Sequence, residues 1–201
     1  EVAVADSRVR LRKTNPEVLI GNLRGEVGEA ITNWIILRQL IGSAKHLQTD
    51  DVLVDMKNES LAFINAVRDR ISNDLVLTLA ELSEQKIGQT TFYFASEKLG
   101  VLQDEVLEFR QFIVANKLKQ KRNREIAHRE QPEEWPQKGD IRITYATLTV
   151  AVAKAIRLMK KIDSEFLGKE ALVQWQKMRV MRYDLAMPAR AKYLLFPHIA
   201  G

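Results

Sequence analysis

The sequence predicts an all-α protein built as an antiparallel helical bundle. Apolar residues recur at three- and four-residue spacing along most of the 201 residues, which is the pattern of one face of an α-helix. No series of segments alternates apolar and polar residues as strands do, and Gly or Pro stands where the helical patterns end. A chain of this length suits one domain, which buries roughly two-thirds of the surface of its unfolded chain.

Residues 1–16 predict a basic N-terminal arm ahead of the bundle. Basic residues stand there among small and branched ones: Arg8, Arg10, Arg12 and Lys13. Asn15 followed by Pro16 is a helix-start signal, because an Asn side chain caps the first turn and Pro fits the first helical position. The bundle, residues 17–166, is therefore predicted to begin at Glu17.

Two long helices come first in the predicted bundle. The first spans Glu17 to Ala44, and its apolar face is Ile20, Leu23, Val27, Ile31, Trp34 and Ile35. Glycines on nearby turns of this helix predict that a neighbouring helix approaches closely: Gly21, Gly25 and Gly28. The second helix is capped by Asp50 or Asp51 and continues to Leu82 on a stripe of Leu, Ile and Val residues.

Shorter helices are predicted after a connection over 83–90. They are a helix over 91–99 stopped by Gly100, a longer one from Val101 into the segment 121–129, and a helix over 140–166. Pro132 and Pro136 prevent the middle helix from continuing far beyond Arg129. Residues 167–201 predict an extra C-terminal helix over 169–184 and an extended tail. We expect this region to contact RNA or a dimer partner.

The composition narrows the functions open to the chain. With no Cys and three separated His residues, the sequence offers no disulfide, no thiolate zinc site and no cysteine nucleophile, so neither a metal nor a cofactor is predicted. The net charge of +5 favours an anionic partner such as RNA. The longest uncharged run, residues 143–153, is far shorter than the ~20 residues that cross a membrane. A cytoplasmic protein without membrane contact is expected.

The segment 121–129 carries the residues with the clearest chemical potential. It reads Lys-Arg-Asn-Arg-Glu-Ile-Ala-His-Arg and sets His128 behind a run of guanidinium groups. Histidine takes and gives protons near neutral pH, and arginine offers a fork of donors that matches two phosphate oxygens. Together these groups suffice to cleave RNA without a metal.

Arg122-Asn123 followed by Ala127-His128 resembles the motif of the HEPN superfamily, in which Arg and His are separated by four to six residues. Here five residues separate them. The stretches 70–75 and 79–82, together with the Arg-rich Ala-His-Arg, look most like the abortive-infection AbiU-like branch. The resemblance covers residues 17–166 and implies a HEPN-like antiparallel bundle.

The resemblance implies a metal-independent endoribonuclease that acts in phage defence or a toxin–antitoxin system. It also implies a homodimer with the active cleft at the interface, and an antitoxin or regulatory protein as a further partner. In that chemistry His128 takes the proton of an RNA 2'-hydroxyl, Arg122 holds the scissile phosphate, and Asn123 orients them or the RNA. The other basic residues of the segment are expected to bind the substrate: Lys121, Arg124 and Arg129.

Several alternatives stay open at this point. On an uninterrupted helix Arg124 and His128 share a face whereas Arg122 and His128 do not. Either the helix bulges within the segment, or Arg124 is the working guanidinium. The same residues also suit a non-catalytic HEPN-like module that binds RNA or a protein partner. Glu125-x-x-His128 matches half of a carboxylate di-iron site, but the sequence has no second copy.

Overall fold

The structure, a computed structural model, describes residues 14–49, 54–123 and 141–167. Within these ranges it contains six α-helices and no strand, so the all-α prediction is confirmed. The helices are α1 (Pro16–Thr49), α2 (Val54–Leu82), α3 (Phe92–Leu99), α4 (Gln103–Ala115), α5 (Leu118–Lys121) and α6 (Tyr145–Leu167). None of them is long and apolar enough to span a membrane. Residues 1–13 of the predicted arm and residues 168–201 of the predicted C-terminal region lie outside the described residues.

Helix α1 begins where the sequence signal predicts. Asn15 Oδ1 accepts a hydrogen bond from Glu17 N at 2.9 Å, which satisfies one of the donors that a helix start leaves open. The helix continues to Thr49, past the predicted end at Ala44. The close approach predicted at its glycines is wrong, because an added Cβ meets no atom within 4 Å at any of them: Gly21, Gly25 and Gly28.

Helices α1 and α6 pack in opposite directions. Arg24, near the start of α1, pairs with Asp163, near the end of α6, with 2.7 Å between Nε and Oδ1. Further along α1, Trp34 Nε1 donates to Thr149 Oγ1 at 3.0 Å. The Trp34 ring also lies parallel to that of Tyr145, the first residue of α6. Contacts that run forward along α1 therefore run backward along α6.

One hydrophobic core receives side chains from every described helix. Phe92 of α3 meets Phe109 of α4 edge to face, with the ring centroids 5.2 Å apart. The short helix α5 contributes Leu118, which is completely buried. Burial of such a side chain stabilises the fold by about 1.5–3 kcal/mol. This contact fixes α5 against the bundle although the helix has only 4 residues.

Helix α3 ends at its predicted residue and begins one residue later than predicted, with Thr91 as its cap. Thr91 Oγ1 accepts a hydrogen bond from Phe94 N at 3.1 Å. At the other end Gly100 has a φ of +70°, the left-handed conformation that glycine adopts without steric cost. The Gly100 N–H donates to Ser96 O at 2.8 Å and closes the helix.

The predicted unbroken helix from Val101 into the segment 121–129 is wrong. Helix α4 ends at Ala115, and Asn116 Nδ2 donates at 2.9 Å to a carbonyl in its last turn. Lys117 then has a φ of +64°, a left-handed conformation that interrupts helical hydrogen bonding. The chain restarts as α5, which leads into the predicted site.

Helix α6 begins later than the predicted start at Asp140. Residues 141–144 are not helical, and Thr144 caps α6 by accepting a hydrogen bond from Thr147 N at 3.1 Å. The short segment before α6 also contacts the end of α5, where Lys121 Nζ donates to Ile141 O at 3.0 Å. Helix α5 is thus held at its start by Leu118 and at its end by Lys121.

Candidate functional site

The predicted functional segment is only partly described by the structure. Lys121, Arg122 and Asn123 are described, whereas the remaining predicted site residues lie outside the described residues: Arg124, His128 and Arg129. Residues 122 and 123 have π-helical backbone directly after α5. Such a turn shifts the faces on which later side chains fall. The choice between Arg122 and Arg124 as the working guanidinium stays a prediction.

Two neighbouring side chains hold the Arg122 guanidinium. Its Nη2 lies 2.9 Å from Glu84 Oε1, and its Nε donates to Asn123 Oδ1 at 3.0 Å. The Arg122 side chain is 16% exposed. The hydrogen bond to Asn123 and the charge of Glu84 favour one orientation of the planar guanidinium, and the donors that remain offer the fork geometry that phosphate oxygens accept.

Glu84, just beyond the end of α2, is the carboxylate on which this arrangement centres. Its side chain is 9% exposed. Lys119 Nζ lies 3.2 Å from both of its oxygens. Glu84 Oε1 meets Lys119 and Arg122 at ion-pair distance without a well-aligned hydrogen bond. Lys119 therefore holds the carboxylate by a hydrogen bond to Oε2, whereas the contacts of Oε1 with the two cations are electrostatic.

The surrounding cations keep Glu84 ionised. Burial by itself raises the pKa of this carboxyl group. The hydrogen bond from Lys119 and the positive charges of Lys119, Arg122 and Lys86 outweigh burial, so the pKa of Glu84 lies below its ordinary value. Three cations share one carboxylate here, which leaves a surplus of positive charge at this end of the site.

A pocket of about 400 Å³ opens beside the Arg122–Glu84 pair. Its wall includes Glu26 from α1, Glu81 from the last turn of α2, and the loop residues 88–91 as well as Lys86. The loop turns at Gly88, which has a φ of +87°, a conformation suited to glycine. The pocket thus has both acidic and basic side chains in its wall.

Glu26 gives the pocket a region of opposite charge. Burial, followed by the negative charges of Glu29 and Glu81, raises the pKa of Glu26. In the part of the chain that the structure describes, no Lys or Arg pairs with Glu26. Among the described residues, the charges that act on the Glu26 carboxylate are those of Glu29 and Glu81.

Several residues of the site belong to no motif by which the sequence alone could have identified them. Glu84 lies in a stretch that reads only as a polar connection, and its contact with Lys119 joins residues 35 positions apart. Glu26 and Glu81 occupy ordinary acidic positions on helix faces. Lys121, in contrast, is predicted to bind substrate. In the structure its Nζ donates a hydrogen bond to the backbone carbonyl of Ile141, at the start of the segment before α6.

The pocket can bind an anion beside Arg122 and hydrogen-bond donors beside Glu26. The Arg122 guanidinium is oriented by Glu84 and Asn123 and stands in a pocket wall, which is the geometry required to hold a phosphate group. No family model, curated protein or solved structure matches this chain.

Proposed function

We propose that this protein is a metal-independent endoribonuclease of the HEPN type. The observation that carries the proposal is the fixed Arg122 guanidinium, which lines a pocket at a π-helical turn and is held by Glu84 and Asn123. A donor group that is already oriented stabilises developing charge without the cost of reorganising during the reaction. On this proposal the described helices belong to a HEPN-like antiparallel bundle.

The proposed reaction needs one base, one acid and one cationic group. The His128 imidazole takes the proton of an RNA 2'-hydroxyl, and the O2' atom forms a bond to the adjacent phosphorus. The bond between phosphorus and O5' breaks, and O5' receives a proton from the imidazolium of His128 in the second protomer. Arg122 binds the nonbridging phosphate oxygens throughout. The products are a 2',3'-cyclic phosphate and a 5'-hydroxyl.

The described contacts support particular roles for the neighbouring residues. Asn123 accepts from Arg122 Nε and so orients the guanidinium. Glu84 acts as a positioning residue, because its carboxylate holds Nη2. Arg124 and Arg129 bind flanking phosphates of the RNA in this proposal. Lys121 contributes positive charge from the end of α5.

The biological setting is proposed from the resemblance alone. A homodimer with the cleft at its interface supplies the second His128, and the protein acts in the cytoplasm. The proposed role is phage defence or a toxin–antitoxin system, with an antitoxin or regulatory protein as a partner. It follows from the likeness of Arg122-Asn123 and Ala127-His128 to the motif of the HEPN superfamily.

A non-catalytic module that binds RNA or a protein is the second candidate. The observation that favours it is the ion pair itself, because Glu84 offsets part of the Arg122 charge that a catalytic guanidinium uses. Binding without cleavage needs the basic surface but no proton transfer by His128. The two candidates therefore differ in their dependence on His128.

Cleavage of a labelled RNA pool in EDTA tests the proposal. Purified wild-type protein is compared with His128→Ala, Arg122→Ala and Arg124→Ala at matched helicity. We expect RNA ends with a 2',3'-cyclic phosphate from the wild type, and a loss of at least about 100-fold in rate for His128→Ala because general base catalysis contributes 10²–10⁴-fold. The arginine variant whose cleavage rate falls by a similar factor identifies the guanidinium that takes part in the reaction.

The control variant is Arg68→Ala, which removes an exposed arginine of α2 that pairs with Asp69 outside the pocket wall. It is expected to cleave as the wild type does. RNA with 2'-O-methyl groups and DNA should stay intact, since both lack the attacking hydroxyl. Cleavage that does not depend on His128, or RNA binding without any cleavage, rejects the ribonuclease in favour of the second candidate.

A further inference from the structure

The pocket beside Arg122 has its charges separated into two regions. Lys86, Lys119 and Arg122 surround the Glu84 carboxylate and leave surplus positive charge there. The pKa of Glu26 is raised instead by burial and by the negative charges of Glu29 and Glu81, with no cation of the described residues among these causes. A ligand that fits both regions has a negative group at one end and hydrogen-bond donors at the other.

We infer that this pocket binds the guanine base of the nucleotide whose 3'-phosphate is held by Arg122. The inference rests on the proposed function and names the substrate preference of that site. A cavity of about 400 Å³ is within the range of small-ligand sites, ~300–1,000 Å³, and accommodates one unpaired nucleotide. Recognition of a single splayed-out base through its Watson–Crick edge is the usual way in which proteins read RNA sequence.

The choice of guanine follows from the acceptors that the pocket offers. An ionised carboxylate accepts hydrogen bonds and donates none. Guanine is the RNA base whose Watson–Crick edge presents two adjacent donors, N1–H and the exocyclic N2–H, and these match the two oxygens of one carboxylate. Adenine and cytosine offer an exocyclic amino group beside an acceptor nitrogen, and uracil offers one N–H between two carbonyls.

Glu26 is the carboxylate best suited to this role. It lines the pocket, it is partly buried, and no described cation pairs with it. Glu84, in contrast, is already engaged by Lys119 and Arg122. Glu81 lines the same pocket from the last turn of α2, where its charge keeps other anions away from the base region.

Binding of the four 3'-nucleoside monophosphates to the wild-type protein, measured by calorimetry, tests the inference without requiring any cleavage. We expect 3'-guanylate to bind at least about tenfold more tightly than the adenylate, cytidylate and uridylate, since one bidentate pair discriminates between bases by this factor or more. Equal binding of the four nucleotides, or binding of none, overturns the inference.

The Glu26→Gln variant identifies the responsible group. An amide presents one acceptor and one donor and cannot accept from both guanine donors, so the preference for 3'-guanylate should fall by about tenfold. The variant removes a charge that opposes folding, so it is expected to fold. The matched control is Glu59→Gln, an exposed carboxylate of α2 outside the pocket wall, which should change binding less than twofold. An unchanged preference in Glu26→Gln contradicts the assignment.

Sequencing of the RNA ends separates this inference from the ribonuclease proposal. If both hold, cyclic-phosphate ends produced by the wild type are enriched in G, and Glu26→Gln loses the enrichment. Selective binding of 3'-guanylate without RNA cleavage retains the guanine pocket and rejects the ribonuclease. Cleavage without base preference and without nucleotide selectivity retains the ribonuclease and rejects the guanine pocket.

Discussion

Two arginine–carboxylate pairs of this molecule have similar chemistry and different surroundings. Arg24 and Asp163 lie 2.7 Å apart between α1 and α6, where the Asp163 side chain is 2% exposed. Arg122 and Glu84 lie 2.9 Å apart and both line the pocket. The first pair joins two helices outside the pocket wall, whereas the second lies at the cavity.

The comparison shows how to separate a structural ion pair from one available for binding. Burial alone does not distinguish them, since each carboxylate is largely withdrawn from water and each pair carries a desolvation cost. The cavity beside Glu84 does distinguish them. We therefore expect mutations of the first pair to change stability, and mutations of the second to change activity as well.

The largest effect on stability is expected from Asp163→Ala. The substitution leaves the Arg24 guanidinium between two helices without this carboxylate, and breaking such a pair should lower the free energy of unfolding by about 3 kcal/mol. Urea denaturation measures the change. Glu105→Gln, at the exposed pair with Lys161, is the control and should leave the unfolding midpoint unchanged.

Activity per folded molecule should be the same for Asp163→Ala and the wild type, because the pair lies outside the pocket wall. A loss of less than ~1 kcal/mol would show that the Arg24–Asp163 pair behaves like a surface pair. A loss of RNA cleavage in molecules that remain folded would remove the distinction between the two pairs.

A smaller loss of stability and a loss of activity are expected from Glu84→Gln. The neutral amide holds Arg122 and Lys119 less strongly, so the free energy of unfolding at pH 7 should fall by about 1–2 kcal/mol. RNA cleavage should fall by at least about tenfold, because the guanidinium loses its fixed orientation. Lys119→Ala is the comparison variant, since it removes a cation next to Glu84 while the contact with Arg122 stays.

The pH dependence of Glu84→Gln checks the electrostatic cause. The pKa of Glu84 is lowered in the folded state, so its stabilising contribution is full above the unfolded pKa, about 4.3 for Glu. That contribution is lost as the pH falls through the folded pKa. Unfolding free energies of the wild type and the variant should therefore converge toward acid pH. A difference that does not change with pH contradicts this account.

The smallest effect, and one of opposite sign, is expected from Glu26→Gln. The pKa of Glu26 is raised in the folded state, so its favourable contribution is present below the unfolded pKa and is lost as the pH rises through the folded pKa. At pH 7 the variant should be more stable than the wild type, by less than about 0.5 kcal/mol because solvent screens the charge. Thermal unfolding at pH 7 and in acid measures it, and a gain that persists in acid would point to another cause.

Local signals in the sequence predicted much of the helical framework. Asn15-Pro16 and Gly100 act within one turn of their positions, so their effects follow from the neighbouring residues alone. The break at Lys117 could not be predicted in this way. A left-handed backbone is expected at Gly or Asn, whereas here lysine adopts it directly before the buried Leu118.

The candidate site was predictable only where its residues are adjacent in sequence. Arg122 and Asn123 are neighbours in a motif, and the structure has them in direct contact. Glu84 and Glu26 reach the site through the packing of α1 and α2 with the segment after α4. Contacts between distant residues depend on helix ends and directions, which the apolar pattern determines only approximately.

The left-handed turn at Lys117 has a consequence for how sites of this kind are recognised. An uninterrupted helix advances 1.5 Å per residue, so it would carry Arg122 roughly 10 Å along the axis of α4 beyond Ala115. Instead the helix breaks at Lys117, and the Arg122 guanidinium lies 2.9 Å from Glu84. A chain with the same Arg and His spacing and a straight helix would carry the signature without the contact between Arg122 and Glu84. A motif search would score the two chains alike, although the arginines of the two chains would have different surroundings.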